Sequence, residues 1–203
     1  FGNGPLVELA DGSVKWDMIN GIGVHMFGHS HPTMVRAQLE AGLSDVCMEG
    51  NLQFNADMVE LSEMIATEAA KGFDIKYCFM TNSGAMANES ALKVCQQKMH
   101  GAPRILAFND CFMGRSTTMA QIGDSAGGRV GIPQNALVDY LPFYDELDGP
   151  ASACYAMKRL EEYIKRYPGQ HSCCIFELVQ GEGGFTVAPR EFFEPLMKRC
   201  KEA

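Results

Sequence analysis

Positive charge is scarce in this chain. Its 203 residues carry 17 Lys and Arg against 25 Asp and Glu, a formal net charge of −8. Nucleic acids and anionic membranes reward clustered cations, so neither is expected as the main partner. A local anion site stays open, because backbone dipoles build one without net charge. Long apolar runs are lacking too; none approaches the ~20 residues of a membrane span. No C-x-x-C occurs among the eight cysteines, Cys47, Cys78, Cys95, Cys111, Cys154, Cys173, Cys174 and Cys200. Several sit in apolar, strand-like runs, so they are expected to be small buried hydrophobes in a reducing cytosol, not a disulfide framework. No G-x-G-x-x-G follows the first strand, which argues against a nucleotide-binding domain. Phe1-Gly2-Asn3-Gly4-Pro5 has neither a basic stretch nor an apolar one. No signal peptide is expected, and the chain reads as opening mid-protein, in a cytoplasmic protein.

What is present is an ordinary globular balance, 46% hydrophobic and 21% charged. That length holds one α/β domain, or a domain plus part of another. Leu6–Leu9 and Ser13–Trp16 flank Asp11-Gly12 and predict a hairpin. Pro32 suits the first turn of a helix to about Val46, with a connector over 47–55. Met58, Leu61, Ile65 and Ala69 recur at helical steps behind Asn55, a candidate cap. Lys76–Thr81 reads as a buried strand, Gly84 to about Met99 as a helix, and Arg104–Phe108 as a strand. Residues 109–150 read as irregular, with a strand near Val138–Leu141. Ala151–Arg166 reads as an amphipathic helix, Cys173–Leu178 as a strand, and Arg190 onward as a helix. Apolar strands alternating with helices predict an α/β fold with a mostly parallel sheet covered on both faces.

Two stretches carry candidate chemistry. In Thr81-Asn82-Ser83-Gly84-Ala85-Met86-Ala87-Asn88-Glu89, a strand end turns into a helix start. Ser83 as N-cap accepts from the N–H of Ala85 or Met86, and Gly84 and Ala85 leave the backbone open to a phosphate. On spacing alone the same residues also make a plain strand–turn–helix link. In Glu177-Leu178-Val179-Gln180-Gly181-Glu182-Gly183-Gly184, two carboxylates five residues apart precede a glycine-rich turn. Taken singly, each is equally a solvated strand-end charge, Phe112 an ordinary aromatic, and Arg115 a surface arginine. His29 and His31 flank Ser30 without a third ligand at suitable spacing, so structural roles and no metal are expected. His25, His100 and His171 show no constellation.

The motifs together resemble the class-III aminotransferases, the fold-type-I pyridoxal-phosphate family. Asn82–Glu89 resembles N-S-G-[AT]-E-A-N-E, and Gly21-Ile22-Gly23-Val24 with Gly28-His29-Ser30-His31-Pro32 resembles G-I-G-V…G-H-x-H-P. Asn51 and Phe54 resemble S-N-x-[FY]; Phe112-Met113-Gly114-Arg115 resembles F-H-G-R; Glu177–Gly184 resembles E-P-V-Q-G-E-G-G. Met86, Met113 and Leu178 depart from the usual Glu, His and Pro. The resemblance implies that residues 1–50 belong to a small domain and 51–203 to the first part of the cofactor-binding large domain. It implies pyridoxal 5'-phosphate as cofactor, held by Ser83, Gly84, Ala85, Phe112 and Met113, with Phe112 stacked on the pyridine ring. Arg115, Glu177 and Glu182 then fall on the substrate side. The implied partners are an amino donor, a 2-oxo acid and a second copy of the subunit. The family's lysine that holds the cofactor, and its D-E-x-Q aspartate, have no counterpart among these residues. None of the chain's lysines stands in the matching context, so no catalytic residue is expected here and the chain alone is expected to be inactive. An aminomutase or racemase of the same family, or a truncated non-catalytic binding module, are the alternative readings.

Overall fold

The computed structural model describes residues 1–44 and 52–203. The chain divides into two compact units, Phe1–Phe79 and Met80–Ala203. In the first, β1 (Gly2–Asn3), β2 (Leu6–Glu8) and β3 (Val14–Trp16) form an antiparallel sheet in that order. The predicted hairpin is its β2–β3 pair, with Val7 opposite Lys15. Asp11 closes the turn by accepting from the Ser13 N–H at 2.9 Å, and Gly12 takes φ +78°. Next comes α1 (Asn20–Gly23), one turn whose four residues all have positive φ. Ile22 at φ +64° is strained there, since a β-branched residue avoids this region. Asp17 ties the turn down by accepting from the N–H groups of Ile19 and Gly21, and it also bonds His29 Nε2 at 2.8 Å. That gives His29 a structural role.

Helix α2 spans Pro32–Leu43 with Pro32 in its first turn. The predicted end near Val46, Cys47, the start of the connector and Asn51 lie outside the described residues. Helix α3 (Ala56–Met64) is capped by Asn55, whose side chain accepts from the Met58 N–H, and it runs on into a π-helical turn at Ile65–Ala69.

The second unit is a layered α/β structure. Strands β4 (Arg104–Phe108), β5 (Leu137–Leu141) and β6 (His171–Cys174) form a parallel sheet in the order β5-β4-β6. Alternation along β4 explains the layers. Leu106 and Phe108 point to one face and pack with Ala156 and Leu160 of α7 (Ala151–Arg166) and Phe192 and Leu196 of α8 (Arg190–Glu202). Ile105 and Ala107 point to the other and meet Leu92 of α4 (Gly84–Lys98) and Met119 and Ile122 of α5 (Thr117–Ile122). Both faces are thus covered, as the apolar strands predict. Phe108 sits among the rings of Phe143, Phe176, Phe192 and Phe193, edge-on to three of them.

Three expectations need correction. Lys76–Thr81 forms no strand. A strand is defined by its ladder, and the three-stranded sheet is made of β5, β4 and β6. The strand expected over Cys173–Leu178 ends at Cys174, and Val179–Gln180 (β7) turns into an antiparallel pair with Thr186–Val187 (β8). The stretch over 109–150 holds α5 and α6 (Ala126–Arg129) as well as β5. Both helices are too short to show a period, although Ser116 and Ser125 cap them.

One charged cluster fastens the sheet's three strands. Asp139 on β5 is buried and takes a bidentate pair from Arg104 on β4, at 2.7 and 2.5 Å. His171 on β6 adds a third bond at 2.8 Å, so it does have a constellation. Burial pushes the Asp139 carboxyl up, but the bonds from Arg104 and His171 outweigh it and hold it below the usual range. Asp139→Asn should therefore destabilise the chain by about 3 kcal/mol, by leaving Arg104 uncompensated. Because the folded carboxyl is the lowered one, this advantage is full above pH ~4 and disappears as pH falls through the lowered value. Urea melts of both chains between pH 3 and 7 (roughly the span of that titration) check the sign and the size.

Candidate functional site

The site is built from loops at the ends of β4 and β6 and from the start of α4. Ser83, in extended conformation, caps α4; its Oγ accepts from the Met86 N–H at 3.2 Å. The first N–H groups of a helix have no intrahelical acceptor, so those of Gly84 and Ala85 are open. A β-carbon placed on Gly84 would meet nothing within 4 Å. The positive end of a 15-residue helix therefore faces open space over bare backbone.

Beyond β4 the chain passes through Asp110 (φ +59°) into the Phe112–Arg115 loop. Gly114 decides where this loop lies. At φ +129° its backbone suits glycine, and an added β-carbon would stand 2.7 Å from the Ala85 Cβ. The loop is thus laid directly on the first turn of α4. Asn88 Nδ2 donates to the Met113 carbonyl at 2.8 Å, and Ser116 Oγ donates to Glu89 Oε1 at 2.6 Å. The Asn and Glu of the α4 motif are the groups that hold the second loop.

Glu177 ties in the third segment. Its carboxylate accepts from the Phe112 N–H at 3.0 Å and from the Gly181 N–H at 3.2 Å. Gln180 Nε2 donates to the Asn109 carbonyl at 2.7 Å, and Gly183 lies so close to the Asp110 carbonyl that a β-carbon would be 2.8 Å from it. Arg129 donates to the Gly123 carbonyl, to Asp124 at 2.9 Å and to the Tyr140 hydroxyl at 2.6 Å. Burial pushes that hydroxyl up to about 12.

These loops enclose a cavity of about 570 Å³. Phe112, Arg115 and Glu182 line it together with Gly114, Asp110 and Asp124. Of the other sequence-predicted residues, Ser83, Gly84 and Ala85 form the helix start behind Gly114, and Glu177 works from outside the lining by fixing Phe112. Met113 turns away: its side chain is 4% exposed, packed with Leu92, Ile105 and Ile122. Arg115 is exposed, forms no ion pair among the described residues, and stands 5.2 Å from the Phe112 ring centre. Cys111 also lines the cavity, but burial raises its thiol to about 11, so it is not a thiolate nucleophile at neutral pH.

The class-III aminotransferase family model matches residues 2–203. The chain belongs to the class-III aminotransferase family. Among curated relatives, acetylornithine aminotransferase of Bacillus anthracis is 31% identical over 202 residues, covering 99% of this chain and 47% of that protein. Acetylornithine aminotransferase of Bacillus subtilis (strain 168) is 32% identical over 200 residues, covering 98% and 47%. The chain spans about half the length of these relatives. An amine transaminase from an uncultivated Pseudomonas species, solved in its PLP-bound form, superposes with a TM-score of 0.85 at 22% identity, over 100% of this chain and 49% of that one. At that identity the likeness is one of fold, and it agrees with the fold type that the sequence motifs imply.

Within this class-III aminotransferase chain, the Asp124–Arg129–Tyr140 hydrogen bonds behind the cavity and the two-handed grip of Glu177 escape sequence reading. Phe112 lies 65 residues from Glu177 and Tyr140 lies 11 from Arg129, and no periodic or motif pattern marks any of these pairs. The Gly114 contact yields a test. Gly114→Ala adds a β-carbon where there is no room and at a φ that L-residues avoid, so it should cost about 1–3 kcal/mol. Urea unfolding measures the loss, and amide exchange of residues 112–115 should accelerate more than that of β4.

Proposed function

We propose that this chain is the N-terminal part of a pyridoxal-phosphate-dependent aminotransferase subunit, which moves an amino group from an amino acid or ω-amine to a 2-oxo acid. The observation that carries the reading is the bare helix start at Gly84 locked beside a cavity walled by Phe112, Arg115 and Glu182. The residues fit the cofactor. Open N–H groups and a helix dipole suit its phosphate, and an aromatic wall suits its flat ring. When bound, pyridoxal phosphate supplies the electron sink for bond changes at the amino-bearing carbon.

The chain's own residues then bind and orient. The N–H groups of Gly84 and Ala85 hold the phosphate, with Ser83 fixing the turn. Phe112 sets the plane of the ring, and Glu177 sets Phe112. Met113 contributes its carbonyl, which Asn88 grips. Arg115 leaves the Phe112 ring and takes a substrate carboxylate in its fork. Glu182, on the same cavity wall, faces the donor side. In this reading residues 1–50 belong to the small domain and 51–203 to the first part of the large domain. The working enzyme is a cytoplasmic homodimer.

Acetylornithine, named in the curated relatives, is the first donor to assay with the whole subunit and a 2-oxo acid. Amino transfer is expected from the whole subunit and none from the 203-residue chain. Arg115→Ala should lower kcat/KM for carboxylate-bearing donors on the order of 100-fold, through KM, since about 3 kcal/mol of charge-assisted bonding is lost. Turnover by the chain alone, or an Arg115 variant equal to the parent, contradicts the reading.

A further inference from the structure

Glu182 stands on a loop that its own sequence does not fix. Strands β7 and β8 pair as a hairpin, with Gln180 opposite Thr186, and Gly181-Glu182-Gly183-Gly184-Phe185 is its loop. Three of those five residues are glycines, which leave the backbone many conformations. Gly184 and Phe185 take positive φ, at +102° and +60°. Within the loop the Gly184 N–H bonds the Gly181 carbonyl at 3.2 Å. The place of Glu182 in the cavity therefore depends on what holds the loop from outside.

Gln180 is the buried part of that hold. It is 3% exposed, and its Nε2 donates to the Asn109 carbonyl at 2.7 Å. Asn109 directly follows β4, and its own N–H bonds the Leu141 carbonyl of β5 at 2.9 Å. The Gln180 side chain thus ties the hairpin to the end of the sheet. Gly183 completes the contact. A β-carbon there would stand 2.8 Å from the Asp110 carbonyl oxygen and 3.0 Å from Gln180 Oε1. Gln180 therefore meets the loop on both sides of Glu182, through the chain before it and through its side chain after it. Glu177 adds a more exposed bond, to the Gly181 N–H at 3.2 Å.

We propose that Gln180 is the positioning residue for Glu182: by gripping the Asn109 carbonyl it fixes that carboxylate in the cavity, and so sets how well an amino donor binds. The role of Glu182 toward the donor rests on the proposed aminotransferase function; its placement rests on the contacts of the loop. Gln180 does not itself line the cavity and acts through the loop. Its amide reaches a backbone carbonyl, which every residue offers, so the grip depends on Gln180 and not on the identity of residue 109. Removing the donor leaves the Asn109 carbonyl without that partner and frees a glycine-rich loop to move.

Amide exchange and kinetics of the whole subunit test this. Gln180→Met keeps the side chain's length and removes its donor; Gly183→Ala drives a β-carbon into the same contact. Each should accelerate exchange at residues 181–184 on the order of tenfold, and more than at 112–115, since one buried hydrogen bond is lost or displaced. With acetylornithine as donor and a saturating 2-oxo acid, Gln180→Met should lower kcat/KM on the order of tenfold, through KM. In a Glu182→Gln background the same substitution should cause no further loss, because the carboxylate it positions is gone. Equal losses in both backgrounds, the mark of a merely structural role, overturn the proposal. So does unchanged exchange at 181–184 in both variants, or acceleration spread equally over 112–115. A parent subunit that moves no amino group sinks the proposed function instead, and the exchange comparison then decides the positioning on its own.

Discussion

Gly114 stands where no side chain fits, and the candidate site depends on that contact. With no β-carbon, the loop after β4 lies against Ala85 at the first turn of α4. This places the loop that carries Phe112 and Arg115 on the first turn of α4. Asn88 and Glu89, one turn further along α4, then bond the loop at Met113 and Ser116. A helix start alone is a common feature and a weak anion site. Fixed beside an aromatic wall, it is the place the proposed function assigns to a ligand both flat and phosphorylated.

Rigidity comes from beneath. The central strand β4 is hydrogen-bonded on both edges and buried on both faces, so the loops that leave it start from fixed points. At one end the Arg104–Asp139–His171 cluster joins the three strands; at the other, Glu177 joins two loops through a single carboxylate. Each arrangement satisfies a charge with several donors, which is how buried or half-buried carboxylates are kept without a large desolvation penalty.

The elements that were legible in sequence are those decided locally. β4 is a short apolar run, α7 has a clear helical stripe, and Ser83 and Asn55 are caps that the structure uses as read. What was not legible depends on partners distant in the chain. Lys76–Thr81 has a strand's composition but gains no ladder, because composition does not say who pairs with whom. Met113 sits in the middle of a functional motif, and only packing shows that its side chain belongs to the core. Glu177 reads as a substrate-side carboxylate, and geometry shows it gripping two backbone N–H groups. The motif residues themselves came through resemblance, since spacing alone left the Gly84 turn an ordinary link.

The claim at the centre is that the N–H groups of Gly84 and Ala85 receive a phosphate. Amide chemical shifts of the nitrogen-labelled chain, titrated with inorganic phosphate and then with pyridoxal phosphate, test it directly. The account predicts that both ligands move the Gly84 and Ala85 amides, and that pyridoxal phosphate also moves those of Phe112 and Arg115. Shifts elsewhere with the Gly84 and Ala85 amides unmoved would contradict it.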